Sequence, residues 1–379
     1  MHDDLQIEIV RGDEALDVLK SEWMELSTRA REHFCSQTFY WASHAWKHAV
    51  ARGDCRLSIL TGRDQGRLVL VWPFVLRRHL AWQEAEWLGA TYEYRDVLVE
   101  RSPVAGRWID EAWGFLKTEL GADLVSCPSI RPDAAVFPLL NKEASAVRRH
   151  WPILFIAADR WPDWDSYRQS LRAKFRRDQQ RRRRRLAERG RVALEIAESG
   201  EQVDRLMGWL FAQKRAWALR HRLYLPWLES GAYEDFLHAA ARDALGSDEL
   251  WLGALKVNDQ ILAVQLAFVC RSRMELYMIT YDRAWRSYGP GRLMLEEAVK
   301  WAFDNKISVV DFRTGLEPFK YGFANDETWR TDHLVPCGRW GACYVAWRRS
   351  VVRGVIARMH AALPAGVRRV LTVDDGRHR

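Results

Sequence analysis

Residues 274–312 constrain the fold of this 379-residue chain more than any other stretch. Residues 274–281, MELYMITY, read as a strand, 291–304 carry the apolar spacing of a helix, and 307–312 are a short apolar strand. Between the first strand and the helix lie Arg286, Ser287, Tyr288, Gly289, Pro290 and Gly291, followed by Arg292. A glycine lets backbone N–H groups approach an anion with no Cβ in the way. A helix N-terminus adds aligned donors and a partial positive charge. A strand, a glycine loop, a helix and a strand in that order describe an α/β unit with a cradle for a pyrophosphate.

The rest of the chain reads as two units of one kind. Strand 5–10, helices 13–31 and 39–50, and strands 56–60 and 67–76 around the turn GRDQG open the first. Residues 82–88, 95–100, 122–127 and 152–157 read as further strands, and 106–120 as a helix. The second unit repeats the order with strand 192–198, helices 201–220 and 232–244, and strands 249–257 and 261–270. Residues 161–190 read as one long basic helix: Tyr167, Leu171 and Phe175 share a face, and Gly190 stops it. Residues 351–363 read as an amphipathic basic helix. The expected organisation is 1–160, 161–345 and a tail, 346–379. The expected fold class is α/β, with a mixed, mostly antiparallel sheet flanked by helices in each unit.

The net charge of +8 is concentrated. Residues 168–185 hold ten Arg or Lys and one Asp, a net +9, and residues 347–379 contribute +6. A mildly acidic body with two basic segments favours local contact with an anion over a uniformly nucleic-acid-coating surface. The run Arg181–Arg185 has no aromatic after Phe175 within the helix, so nucleic acid is not the expected partner. An anionic membrane surface or an anionic acceptor fits the run better, and a solvated helix is the bland alternative. The six cysteines form no C-x-x-C pair, and His44 and His48 lack an evident third ligand, so no metal site is expected. The opening MHDDLQIEIVRGDE has no apolar core of a secretory signal. The expected location is cytoplasmic, or peripheral on the inner membrane.

Arg286-x-x-Gly289-x-Gly291 resembles the pyrophosphate loop [QR]-x-x-G-x-[GA] of the GNAT acetyltransferases, between their fourth strand and the next helix. The wider stretch, YDRAWRSYGPGRLML through DFRTGLEPFKYGF, resembles the bacterial cellulose-biosynthesis-type subgroup of that family. GLEPFKYGF is similar to an element of the Fem-type aminoacyltransferases, which join two GNAT units. The resemblance covers residues 160–345 well and the first unit weakly. It implies two tandem GNAT-like units, the first degenerate because it lacks the glycine loop.

The resemblance also implies an acyl-CoA co-substrate held in a splay between the fourth and fifth strands. Backbone groups of Met278, Ile279 and Thr280 would bond the pantetheine and polarise the thioester carbonyl. Gly289, Gly291 and their loop neighbours from Arg286 to Arg292 would hold the pyrophosphate. Tyr281, Asp282, Asp311, Glu317 and Lys320 are the candidate catalytic residues. A carboxylate among Asp282, Asp311 and Glu317 would bind or deprotonate the acceptor amine, and Lys320 would meet an anionic group or developing charge. Asp311 could equally cap a turn, and Asp282 tie down the loop. The resulting expectation is an acyl-CoA-dependent N-acyltransferase acting on a membrane-associated amine such as a sphingoid base. The alternatives are an amino sugar in polysaccharide assembly, a tRNA-dependent aminoacyltransferase, and a non-catalytic binding module.

Overall fold

The computed structural model describes residues 5–347 apart from 32–33, 52, 54, 80–81, 90–92, 144–148, 248 and 316. The amphipathic segment expected over 351–363 lies outside the described residues. Contacts divide the chain into two compact units. One holds the described residues up to Trp151 and those from Trp329 on; the other is Pro152–Thr328.

The first unit runs β1 (Gln6–Arg11), α1 (Glu14–Arg29), α2 (Phe39–Ala51), β2 (Arg56–Asp64), β3 (Arg67–Arg78), β4 (Gln83–Trp87), β5 (Leu98–Val99), α3 (Ala105–Glu119), β6 (Leu124–Ile130) and α4 (Phe137–Lys142). Its strands are ordered β1-β2-β3-β4-β6, with β5 on β3. Nine consecutive buried residues in β3 explain its unbroken apolar run, since both faces of the strand are covered. Gln65 and Gly66 close the β2–β3 hairpin at φ 50° and 77°, the left-handed pair that a two-residue turn demands. A later strand, Asp326–Pro336, joins this sheet by pairing antiparallel with β6 from Thr331 onward. That pairing draws residues from 329 into the first unit, where the sequence expectation had placed everything to 345 in the second. The strand expected over 95–100 is reduced to Leu98–Val99.

The second unit runs β7 (Arg149–Ala157), α5 (Trp164–Ser170), α6 (Ala173–Ala187), β8 (Val192–Ile196), α7 (Gly200–Arg220), α8 (Pro226–Glu229), α9 (Ala232–Gly246), β9 (Leu250–Val257), β10 (Gln260–Cys270), β11 (Arg273–Tyr281), α10 (Pro290–Asp304) and β12 (Val309–Asp311). The strand order is β7-β12-β11-β10-β9-β8, with β11 and β12 parallel and the other neighbours antiparallel. Alternation puts Trp251, Leu255, Ala263, Ala267 and Met274 on one face, where Leu293, Met294, Ala298, Val299 and Ala302 of α10 bury them. Leu252, Ala254, Val264, Leu266 and Phe268 point the other way and are buried. There α7 and α9 pack on the same strands. Ser199 and Gln202 form a reciprocal capping box that starts α7.

The single basic helix expected over 161–190 is in fact two helices. Leu171 and Arg172 adopt extended ψ angles of 152° and 131°, which break the helix between α5 and α6. On either side of the break, α5 and α6 both hold Phe323. The Tyr167 hydroxyl donates to the Phe323 carbonyl at 2.5 Å, and Phe175 meets Phe323 edge-on at 4.9 Å. Burial pushes the Tyr167 hydroxyl far above its ordinary range, so it stays a donor at every working pH. Tyr167→Phe is expected to cost about 1–2 kcal/mol, one buried hydrogen bond with its carbonyl left unpaired. Denaturant unfolding with an unchanged slope checks this.

Candidate functional site

The parallel ladder between β11 and β12 is three residues long: Arg273 faces Val309, Met274 faces Val310 and Glu275 faces Asp311. Beyond it β12 ends while β11 continues to Tyr281, so the two strands fork. Two ion pairs bridge the crotch of the fork. Arg273 Nη1 lies 3.3 Å from Asp311 Oδ2, and Arg313 Nη1 donates to Glu275 Oε2 at 2.5 Å. Arg313 has φ 55°, an uncommon angle for a side chain with a Cβ, and its N–H donates to Asp311 Oδ1 at 2.7 Å. This turn carries the chain away from β11. The Arg313 guanidinium then stacks 3.6 Å above the centre of the Tyr277 ring. Tyr277 is the extra residue of a β-bulge, because Leu266 pairs with Met278 while Ala267 pairs with Leu276. The buried Gln265 side chain donates to the Met278 carbonyl at 3.2 Å and braces the bulge.

Met278, Ile279 and Thr280 lie on β11 beyond the bulge, on the free limb of the fork. Tyr281 ends the strand, partly exposed. The Asp282 carboxylate accepts the Ala284 N–H at 2.9 Å and opens the six-residue 3-10 segment Arg283–Tyr288. Gly289 follows at φ +68° and caps α10, with Pro290 in the first helical position, where its missing N–H costs nothing. A Cβ on Gly291 would stand 3.2 Å from Tyr281 Cδ1, and one on Gly289 would stand 2.5 Å from Arg182 Nη1. At Gly289 the positive φ favours glycine and a Cβ would displace the Arg182 guanidinium, while at Gly291 a Cβ would press on the Tyr281 ring. The residues from Arg286 to Arg292 thus form a bare backbone turn at a helix N-terminus, with two guanidinium side chains of their own. An anionic diphosphate fits that chemistry.

The remaining candidates sit on the loop after β12. Asp311 is fully buried and committed to Arg273 and the Arg313 N–H. The Lys320 ammonium donates to the carbonyls of Phe312, Thr314 and Gly315 at 3.0–3.1 Å and lies 2.8 Å from Glu317 Oε2. It binds the loop to itself. Glu317 keeps about half its side chain exposed, 52%, so its carboxylate reaches solvent as well as Lys320. Burial pushes Glu317 up, but the neighbouring Lys320 outweighs it and holds the carboxyl below the usual range.

Sequence reasoning missed Lys214. It sits half-buried on α7, close enough to Glu317 and Lys320 to feel both charges. Burial, with the Lys320 charge, pulls its ammonium below the ordinary lysine range, against the pull of Glu317. A lowered lysine binds fewer protons folded than unfolded. Its contribution to stability therefore rises with pH between its folded value and about 10.4. Nothing in a helix read by apolar period marks Lys214, because the signal is its approach to residues a hundred positions away. The fork residues Arg273, Glu275 and Arg313 escaped for the same reason.

The first unit repeats the three-residue parallel ladder, between Glu84–Glu86 of β4 and residues 124–126 of β6. Beyond that ladder its own chain closes in. The Arg95 N–H donates to the Ser129 carbonyl at 3.3 Å, and the buried Asp96 carboxylate accepts from Val97, Ala135 and Val136 at 2.6–3.0 Å. Arg95 pairs with buried Glu93 at 2.6 Å.

Residues 173–321 match the family described as an acetyltransferase (GNAT) domain. The crystal structure of FemX resembles this one with a TM-score of 0.59 at 12% identity, over 86% of this chain and 96% of that one. A conserved Bacteroides thetaiotaomicron protein of unknown function gives 0.53 at 8%, over 86% and 100%. The C-terminal domain of an Agrobacterium fabrum protein described as a lysylphosphatidylglycerol synthetase gives 0.51 at 11%, over 89% and 97%. At such identities the likeness is one of fold. No curated protein matches the sequence. Among the described residues no helix is long and apolar enough to cross a membrane, and no three His, Cys, Asp or Glu cluster to hold a metal.

Proposed function

We propose, from the match of residues 173–321 to the acetyltransferase (GNAT) domain family, that the chain is an acyl-CoA-dependent N-acyltransferase. The observation that carries the reading is the fork between β11 and β12 with the bare Gly289–Gly291 turn at the end of its free limb. Bound there, acyl-CoA supplies an activated thioester. The chain's own part is to hold the phosphates on the turn and to offer β11 backbone groups from Met278 to Thr280 along the limb. The first unit, its equivalent opening filled by residues 93–97, takes no donor.

Glu317 is the acceptor-side carboxylate of this reading. It receives the proton, directly or through water, that the amine must lose as its nitrogen bonds to the acyl carbon. The thiolate released as the C–S bond breaks takes a proton from Tyr281 or water. Glu317→Gln is expected to lower kcat about 100-fold, the usual scale of general base catalysis, with CoA affinity unchanged. Equal turnover in the variant would remove Glu317 from the mechanism.

For the acceptor we put first an amine on a membrane-associated molecule, such as a sphingoid base. Exposed Trp329, Trp340 and Trp347 lead toward the basic tail, and tryptophan suits a surface that is apolar on one side and wet on the other. An amino sugar is the second reading. It is favoured by α6, whose Arg183 and Arg185 turn to α10 and its loop and so leave less of that basic segment to face a membrane. Calorimetry with acetyl-, palmitoyl- and free CoA tests the donor. A palmitoyl preference, followed by turnover with sphinganine but not glucosamine, supports the lipid acceptor. Failure of the folded protein to bind any CoA transfers the reading to a tRNA-dependent aminoacyl transfer or a non-catalytic module.

A further inference from the structure

One side of the basic run docks on the protein, while Arg177, Arg181 and Arg184 stay exposed. Along α6, Gln179 Nε2 donates to the Arg292 carbonyl at 3.2 Å and Arg183 pairs with Glu296 and Glu297 at 3.2 and 2.6 Å. Arg185 reaches the Ser287 carbonyl at 3.4 Å, and Arg185 and Arg189 lie over the Tyr288 ring at 5.1 and 5.4 Å. These contacts dock the helix along the glycine turn and the first turns of α10.

Arg182 differs from its neighbours on this helix. Its guanidinium comes to the Cα of Gly289 so closely that a Cβ there would be 2.5 Å from Nη1. Its Nε is buried and meets no acceptor among the described residues. Burial and the charges of Arg292, Arg181 and Arg185 depress its proton affinity, and only Asp178 opposes them. A cation held half-buried among three other cations, over a turn shaped for an anion, is short of counter-charge, with only Asp178 opposing them.

We propose that Arg182 is a ligand of the donor: it reaches across from α6 to the phosphates lying on the Gly289 turn, so that α6 forms the second wall of that cradle. The inference rests on the acyl-CoA reading and extends it to a residue outside the glycine motif. A planar guanidinium with several parallel donors suits a diphosphate better than an ammonium does. It follows that the donor is recognised by its phosphates as much as by its acyl-pantetheine arm.

The test is calorimetry on the full chain with CoA and with pantetheine, which lacks the phosphates, for the wild type, Arg182→Gln, Arg182→Lys and Arg181→Gln. Arg181 is exposed, pairs with Asp178 at 3.0 Å, and controls for loss of one charge from the helix. Expected for Arg182→Gln is a loss of CoA affinity of about 10-fold or more, one charge-assisted contact, with a shallower salt dependence. Pantetheine affinity stays at the wild-type level. Arg182→Lys recovers part of the loss and Arg181→Gln shows little. Wild-type CoA affinity in folded Arg182→Gln overturns the inference and leaves the donor reading standing. Equal losses for CoA and pantetheine in Arg182→Gln, or no recovery with a folded Arg182→Lys, assign Arg182 a merely structural part and also overturn it. A wild type that binds no CoA removes the donor reading and the inference together.

Discussion

Gly289→Asp is expected to abolish CoA binding in a chain that still folds. The backbone at φ +68° is one that aspartate tolerates better than most residues, so the turn itself survives. The new side chain does not leave the cradle open. Its Cβ arrives 2.5 Å from the present position of Arg182 Nη1, so the guanidinium must shift and meets a carboxylate where the donor phosphates would lie. The variant thus both fills the turn and neutralises the charge that it offers. Two charge-assisted hydrogen bonds at roughly 1.5–3 kcal/mol each correspond to a loss of at least about 100-fold in affinity. Calorimetry reads the affinity, and circular dichroism with thermal unfolding reads the fold. Micromolar CoA binding retained by Gly289→Asp would contradict the placement of the donor on this turn.

Lys320→Ala is expected to have the second large effect, on stability rather than on donor binding. The ammonium gathers three carbonyls, those of Phe312, Thr314 and Gly315, and the Glu317 carboxylate. An ammonium has three protons, so these four acceptors use its full capacity with one proton shared. Removing it leaves carbonyls of a tight loop without a donor and Glu317 without its partner. The expected cost is about 3 kcal/mol, from a few unsatisfied groups in a part-buried setting. For a unit of this size that is a fall of roughly 6–12 °C in melting temperature. Arginine at the same site has a larger planar head and is expected not to restore the midpoint. A Lys320→Ala protein that melts like the wild type but loses turnover would instead give Lys320 a direct part in the chemistry.

Apolar period and turn chemistry sufficed for most of the elements. The capped helix after Ser199, the two-residue turn at Gln65 and Gly66, and the glycine loop before α10 all depend on neighbours within a few residues. Such local rules act on the chain wherever it folds. The same rules carried the likeness to the GNAT loop, since a phosphate turn is itself a local backbone device.

Tertiary structure decided what depends on residues far apart. The fork is held by Arg273 with Asp311 and Glu275 with Arg313, pairs 38 positions apart that no period announces. The pairing of the strand Asp326–Pro336 with β6 moved a domain boundary, because backbone hydrogen bonds carry no sequence code that names their partner. The arginines of α6 read in sequence as a surface for a membrane or for water. The break at Leu171 and the docking of Phe175 on Phe323 turn that helix onto the glycine turn. Composition sets how much charge a segment holds, and only packing sets what that charge faces.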